Sequence, residues 1–266
     1  MYKIIIADVD GTLADKYTQE ISPAVVNSIK KWIDTGHYFS LATGRQYLNV
    51  DKMCKTLHIN APIILRGGSE ICDPQTGAFL QQAYIEKNIT AQIIPLLKES
   101  NIPFSVETGS LFYSSTQKPL IEIPGVTNKN IREFEYSAVP KIVLWTDTVE
   151  ENYVENFLAE KITPQFSSVH IIKSYTSTRK TWDITSQRAT KYLAVLELSK
   201  LLNTDLSVMI GVGDGYNDYP LLTACGYKVA MENAPKELKD IADKIIPAYT
   251  EDGVSVLIDE LLQNNS

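Results

Sequence analysis

Lys3-Ile4-Ile5-Ile6-Ala7-Asp8-Val9-Asp10-Gly11-Thr12-Leu13 is the stretch on which the fold turns. A short apolar run ends abruptly in two carboxylates, a glycine and a hydroxyl. An unbroken run of this length, rich in isoleucine, predicts a strand buried on both faces of a sheet. In extended chain, side chains two apart share a face, so Asp8 and Asp10 start out converging. Beyond the strand's carboxyl end they stand where open α/β sheets bind ligands. Two such carboxylates repel each other unless a cation or a shared proton intervenes. A solvated loop after an edge strand would read the same way locally, so the choice falls to the rest of the chain.

Composition narrows it. A chain of 266 residues, 44% apolar and 21% charged, suits one large domain or two modest ones with a real core. The formal net charge of −7 argues against a nucleic-acid partner, which needs a basic surface. It also means that any bound phosphate must be held by local cations. Cys54, Cys72 and Cys225 are scattered and odd in number, with neither a disulfide framework nor metal-binding spacing. Asp8 interrupts the first apolar run too early for a signal peptide or a membrane span. The expectation is a cytoplasmic protein without a membrane partner.

Farther along, Ser22-Pro23 offers a helix N-cap and a first-turn proline. Val25, Val26, Ile29 and Ile33 follow at helical spacing, and Gly36 closes the segment. Tyr38–Ala42 reads as a second strand, running straight into Thr43-Gly44-Arg45. A helix with Val50, Met53 and Leu57 inward leads to a third strand, Pro62–Leu65. Strand and helix alternating at this spacing predict βαβ units and a parallel sheet. The rhythm changes near Tyr84. Thr90 is expected to cap a helix with Ile93, Ile94 and Leu97 inward, followed by a hairpin of Phe104–Val106 with Leu111–Tyr113. After a weakly patterned stretch, Lys141–Trp145 reads as a strand and Val154, Phe157 and Leu158 as a helix face. Val169–Ile172 and Thr181–Ile184 then form a second strand pair. Alternation resumes with a helix marked by Ala189, Leu193, Leu196 and Leu201, then a buried strand, Leu206–Val212, ending at Gly213-Asp214-Gly215. Tyr227–Met231 is a further strand and 252–262 a closing helix. The simplest architecture is a Rossmann-like α/β parallel-sheet core (1–80 and 186–266), with an inserted α+β domain of two αββ units at 81–185.

Chemistry-bearing residues gather at or just after these strand ends: Asp8, Asp10 and Thr12; Thr43-Gly44-Arg45; and Gly213-Asp214 with Asn217-Asp218. Strand ends of a parallel sheet meet along one edge, so such residues can converge. Lys191, near a helix start, is the one outlier. In this chain order the residues resemble the motifs of the haloacid-dehalogenase superfamily, specifically its Cof-type (type IIB) phosphatases. Asp8-Val9-Asp10-Gly11-Thr12 is similar to the first motif and Thr43-Gly44-Arg45 to the second. Lys191 stands where the third-motif lysine is expected, and Gly213-Asp214-Gly215-Tyr216-Asn217-Asp218 fits the fourth. The resemblance covers essentially the whole chain, and the inserted αββ pairs look like this branch's cap.

The resemblance implies a Mg2+-dependent phosphatase acting on a small phosphorylated metabolite, most often a sugar phosphate. Asp8 would be the nucleophile, forming an aspartyl-phosphate, and Asp10 the general acid and then the base. Asp8, the backbone carbonyl of Asp10, and Asp214 would ligate Mg2+, with Asp218 ligating it directly or holding its waters. Thr43 and Lys191 would neutralise phosphoryl oxygens. Gly44 and Arg45 would join them in binding phosphate or substrate, Arg45 either touching substrate or orienting the loop, and Asn217 would contact phosphate or orient Lys191. The cap would select the leaving group. Two departures stand out. Family members usually carry Asn-Gly-Ala after the third strand, where this chain has Arg66-Gly67-Gly68, and a Glu-Ile pair where it has Asp183-Ile184. Arg66 is expected to pair with a surface acid, since most arginines are exposed, and reading the substrate is its other possible role. His37, His58 and His170 lack ligand spacing and read as structural. The competing readings are a sugar phosphomutase of the same superfamily and a catalytically silent metabolite-binding protein.

Overall fold

A computed structural model describes residues 2–15, 20–120, 125–146, 148–175 and 180–263. The isoleucine run forms strand β1 (Ile4–Ala7), with all four residues buried. Its period of two divides the strand between two cores. Ile5 and Ala7 face one hydrophobic cluster, and Ile4 and Ile6 face another. Helix α1 (Pro23–Asp34) is capped as its sequence predicts, with Ser22 Oγ accepting from Val25 N at 3.2 Å and proline in the first turn. Strand β2 (Tyr38–Leu41), helix α2 (Asp51–Thr56) and strand β3 (Ile63–Leu65) follow. Strands β4 (Glu70–Cys72) and β5 (Phe79–Gln82) then build a small sheet with β3. That sheet meets the main one through a single parallel bridge, Ala42 to Ile64.

The chain next forms α3 (Lys87–Glu99), β6 (Phe104–Thr108), β7 (Leu111–Ser114), β8 (Thr127–Asn130), β9 (Lys141–Trp145), α4 (Glu151–Phe157), β10 (Val169–Tyr175) and β11 (Lys180–Ser186). It closes with α5 (Lys191–Leu201), β12 (Met209–Gly213), α6 (Tyr219–Ala224), β13 (Tyr227–Met231), α7 (Lys236–Asp240), β14 (Lys244–Ile246) and α8 (Gly253–Gln263). Contacts divide the chain into two compact units, Met1–Gln81 with Thr190–Ser266, and Gln82–Ala189.

In the core unit the strands run in the order β14-β13-β12-β1-β2, all parallel. Helices α1 and α8 cover one face through Ile29, Trp32, Leu257 and Ile258. Helices α5 and α6 cover the other through Val195, Leu198, Leu221 and Leu222. The chain runs from β1 to β2 on one side, and after the insertion it returns through α5 to β12 on the other side of β1. Its carboxyl end is therefore a topological switch point. The inserted unit is a sheet in the order β10-β11-β9-β6-β7-β8, antiparallel except where β7 meets β8. One face packs on α3 and α4 through Ile93, Leu97, Phe104, Leu144 and Val154. Two helices, each followed by two strands, are present as expected, with the expected strand β9 between the repeats and β8 added in the weakly patterned stretch before it. Among the described residues, no helix is long and apolar enough to cross a membrane.

One local expectation is corrected, and one helix face emerges only in the structure. Thr90 does not cap α3; it lies one turn inside, where its hydroxyl donates to Glu86 O at 3.0 Å. A threonine hydroxyl can satisfy a backbone carbonyl within a helix as well as at its start, so residue type alone left both positions open. On α5, Leu193 and Leu201 face outward, and the buried stripe is Lys191, Ala194, Val195 and Leu198. Leucine is so frequent along this helix that its pattern has little preferred direction. Leu198→Ala should therefore cost about 2–5 kcal/mol of stability. Leu193→Ala should stay within about 0.5 kcal/mol. Urea unfolding of the two variants checks which face is inward.

Candidate active site

Backbone geometry places the first motif. Asp8 N donates to Val212 O at 2.9 Å, continuing the β1–β12 ladder one residue past the strand. The chain then turns back on itself, with Leu13 N and Ala14 N both donating to Val9 O at 3.0 Å. Gly11 sits inside this turn at φ 89°, and a Cβ there would lie 2.2 Å from Asp214 Oδ2. Only glycine meets both conditions.

Three carboxylates and one ammonium form the centre. Lys191 Nζ donates to Asp8 Oδ1 and Asp218 Oδ1, each at 2.6 Å, and all three side chains are at least nine-tenths buried. Lys191 is the first residue of α5, whose N-cap Thr190 accepts from Leu193 N. Asp218 uses its second oxygen to accept from Asp214 N at 3.0 Å and Gly215 N at 2.9 Å. It therefore fixes both the lysine and the turn after β12. Asp214 accepts from Thr12 Oγ1 at 2.8 Å and from Asn233 Nδ2 at 3.1 Å. Asn233 also donates to Gly11 O.

Asp10 stands apart from that cluster. Arg45 grips it in a two-pronged pair, Nε to Oδ2 at 3.0 Å and Nη2 to Oδ1 at 2.5 Å. Thr43 is fully buried, and its hydroxyl accepts from Arg45 N at 3.2 Å. That hydroxyl donates to no partner among the described residues. Gly44 and Asn217 are exposed. The structure thus gathers Asp8, Lys191, Asp214 and Asp218 into one cluster, with the Asp10–Arg45 pair linked to it through the first-motif turn.

Arg66 departs from expectation. Instead of meeting a surface acid it is 5% exposed and paired with Glu70, itself 2% exposed, at 3.2 Å. Asn233 was not anticipated at all. Its only signal was position, two residues beyond the end of β13 on the edge where the other strand ends meet. The cysteines are buried, and burial pushes each thiol up to about 12, so none is a thiolate near neutral pH. His37 stacks on Trp32 at 4.1 Å, in keeping with a structural role.

Electrostatics tests whether a metal ion fits. One carboxylate oxygen from each of Asp8, Asp214 and Asp218 lies within 4.8 Å of the others. Three negative charges against the single charge of Lys191 leave an excess of two, which a divalent cation matches. Hard oxygen donors suit Mg2+. Burial, and then Asp218, push the Asp8 carboxyl up despite Lys191. Burial pushes Asp214 up to about 6 against the Thr12 hydrogen bond, with Asp218 adding to the rise. Burial alone would lower Lys191, yet Asp218 and Asp8 hold it well above its usual range. The donor set fits the cation.

A family model described as haloacid dehalogenase-like hydrolase matches residues 5–258, and the protein belongs to that family. "Phosphatase YwpJ" of Bacillus subtilis is 25% identical over 286 residues, covering 98% of this chain and all of that one. "5-amino-6-(5-phospho-D-ribitylamino)uracil phosphatase YwtE" of Bacillus subtilis is 26% identical over 285 residues, covering 98% of each. The solved structure of a subclass IIB sugar phosphatase of the superfamily, BT4131, superposes with a TM-score of 0.78 at 18% identity, covering 97% of this chain and 98% of that one.

Raised carboxyl groups have a measurable consequence in metal-free protein. The unfolded chain releases these protons near pH 3.8 and the folded chain holds them longer, so folding binds protons in between. The contribution of Asp214 to stability is then fullest below about pH 3.8 and is lost as pH rises to about 6, where the folded-state carboxyl ionises. Thermal melts in chelator from pH 4 to 7 should show this decline, and Asp214→Asn should make it shallower. An unchanged slope in the variant would remove Asp214 as its source.

Proposed function

We propose that this chain is a Mg2+-dependent phosphomonoesterase acting on a small phosphorylated metabolite through a phosphoryl-Asp8 intermediate, with the inserted unit as its substrate-selecting domain. The observation that carries the reading is the Lys191 bridge, 2.6 Å to both Asp8 and Asp218. It engages Asp8 Oδ1 and leaves Oδ2 without a hydrogen-bond donor among the described residues, which makes Oδ2 the attacking atom. In the first step a bond forms from Oδ2 to phosphorus as the bond to the alkoxide oxygen breaks, and Asp10 gives that oxygen a proton. In the second, Asp10 takes a proton from water as the water oxygen attacks phosphorus and frees Asp8. Arg45 sets where the oxygens of Asp10 lie in both steps.

Asp8, Asp214 and the backbone carbonyl of Asp10 would hold Mg2+, with Asp218 behind them orienting Lys191. When bound, the ion neutralises phosphoryl oxygens and the excess carboxylate charge. Lys191 and the Thr43 hydroxyl would serve the remaining phosphoryl oxygens, with Gly44 and Asn217 lining the approach. Positioning and charge stabilisation are most of what phosphoryl transfer asks of a protein. Sugar and polyol phosphates are the favoured substrate class. One relative is named for a phosphorylated ribityl chain and one structural neighbour as a sugar phosphatase, and both names describe phosphate on a polyhydroxylated carbon chain.

The test is a panel of sugar, polyol, nucleotide and cofactor phosphates, assayed for phosphate release with Mg2+ and with chelator. Turnover should require Mg2+ and be highest on polyol or sugar phosphates. Asp8→Asn should abolish it with the fold intact, and appreciable residual activity would sink the nucleophile assignment. Asp10→Asn should depress unactivated substrates roughly 10²-fold or more, and 4-nitrophenyl phosphate much less.

A further inference from the structure

Arg66 occupies an unusual place for a charged side chain. It is 5% exposed and its backbone is in the left-handed region, at φ 48°. A non-glycine residue in that region is held there by its surroundings, and such outliers cluster at functional sites. Burial of a guanidinium requires partners as well.

The partners define a clamp. From β4, Glu70 Oε1 lies 3.2 Å from Arg66 Nε, joining two buried side chains. Arg66 Nη2 donates to Gln46 Oε1 at 2.7 Å, and Gln46 is itself 6% exposed. The backbone N–H of Arg66 donates to Arg45 O at 3.0 Å, and that of Gly67 to Thr43 O at 3.0 Å. Arg66 therefore holds Arg45 from both sides, through the Arg45 carbonyl and through the next side chain. Arg45 in turn grips Asp10 with two nitrogens. At the far end of the same turn, a Cβ on Gly68 would lie 2.4 Å from Thr190 O, the residue before Lys191.

We infer that Arg66 is a positioning residue: anchored by Glu70, it fixes the backbone around Arg45 and so the aim of the Arg45 fork on Asp10. The inference rests on the reading of Asp10 as proton donor. An ion pair that served stability alone would need Glu70 but not Gln46. Lysine could not replace Arg66, because one ammonium lacks the planar fork that serves Glu70 and Gln46 together. A loosened Arg45 would leave Asp8 free to attack, so the defect should fall on departure of the leaving group.

Two variants test this. Arg66→Asn combined with Glu70→Gln removes both buried charges, and asparagine tolerates the left-handed backbone. Gln46→Met cuts only the tie to Gln46 and leaves the Arg66–Glu70 pair in place. The readout is kcat/KM for phenyl phosphate against 4-nitrophenyl phosphate, whose departure needs less help from a proton. Both variants should lose more on phenyl phosphate, by about tenfold in the double variant. Equal losses on the two substrates, or none, would overturn the proposal. Should the double variant fail to fold, Gln46→Met decides on the same ratio. Wild type and Asp10→Asn separate the two levels. If wild type releases no phosphate, or Asp10→Asn lowers both substrates equally, the reading of Asp10 fails and the Arg66 proposal with it. If those controls behave and the variants do not, Arg66 alone is overturned.

Discussion

One buried ammonium organises this molecule. Lys191 comes from the start of α5, Asp8 from the end of β1 and Asp218 from the turn after β12, and the lysine bonds to both carboxylates at 2.6 Å. Charges this deeply buried are tolerated only when paired and hydrogen-bonded. Removing one partner from such a pair costs about 3–5 kcal/mol, because the other is left uncompensated. The helix, the two strands and the turn are thus bound to one arrangement. That arrangement also leaves Asp8 Oδ2 without a hydrogen-bond donor among the described residues and leaves an excess of negative charge that a divalent ion would balance. Structural stability and candidate chemistry share a single constraint.

Around it, backbone approach does as much as side chains. Gly11 brings the first-motif turn against the Asp214 carboxylate, and Gly68 brings the Arg66 turn against Thr190. A methyl group at either position would part elements that the carboxylate–lysine cluster requires together. The chain leaves the core unit after Gln81 and returns at Thr190, immediately before the lysine. More than a hundred residues are inserted while β1 and β12 remain adjacent.

Much of this was legible in the sequence, where local chemistry has one solution. The isoleucine run reads as a buried strand, the strand–helix alternation after it turns Asp-x-Asp-Gly-Thr from a solvated loop into a ligand edge, and Ser22-Pro23 is a helix start written in two residues. Asp8, Thr43 and Asp214 pointed to a shared site because parallel strands end along one line, whereas Lys191, at a helix start, was tied to it only by the resemblance of the motifs in chain order. Other features depend on tertiary context. Strands β4 and β14 are three residues long, too short for periodicity to register. The inward face of α5 is set by which leucines meet Leu221 and Leu222, not by their spacing. Arg66 looked like a surface cation because its partner, Glu70, lies on a strand that the pattern did not show. Asn233 is a single polar residue whose meaning comes from Asp214, nineteen positions away.

Covalent capture of the intermediate bears most directly on the central claim. Protein turning over a reactive phosphate ester with Mg2+ would be quenched in acid, digested and analysed by mass spectrometry for a phosphoryl group. The account predicts that one such group is found on the peptide containing Asp8, on Asp8 itself, and is absent from Asp8→Asn. Continued turnover with no label on Asp8, or with the label on another residue, would contradict it.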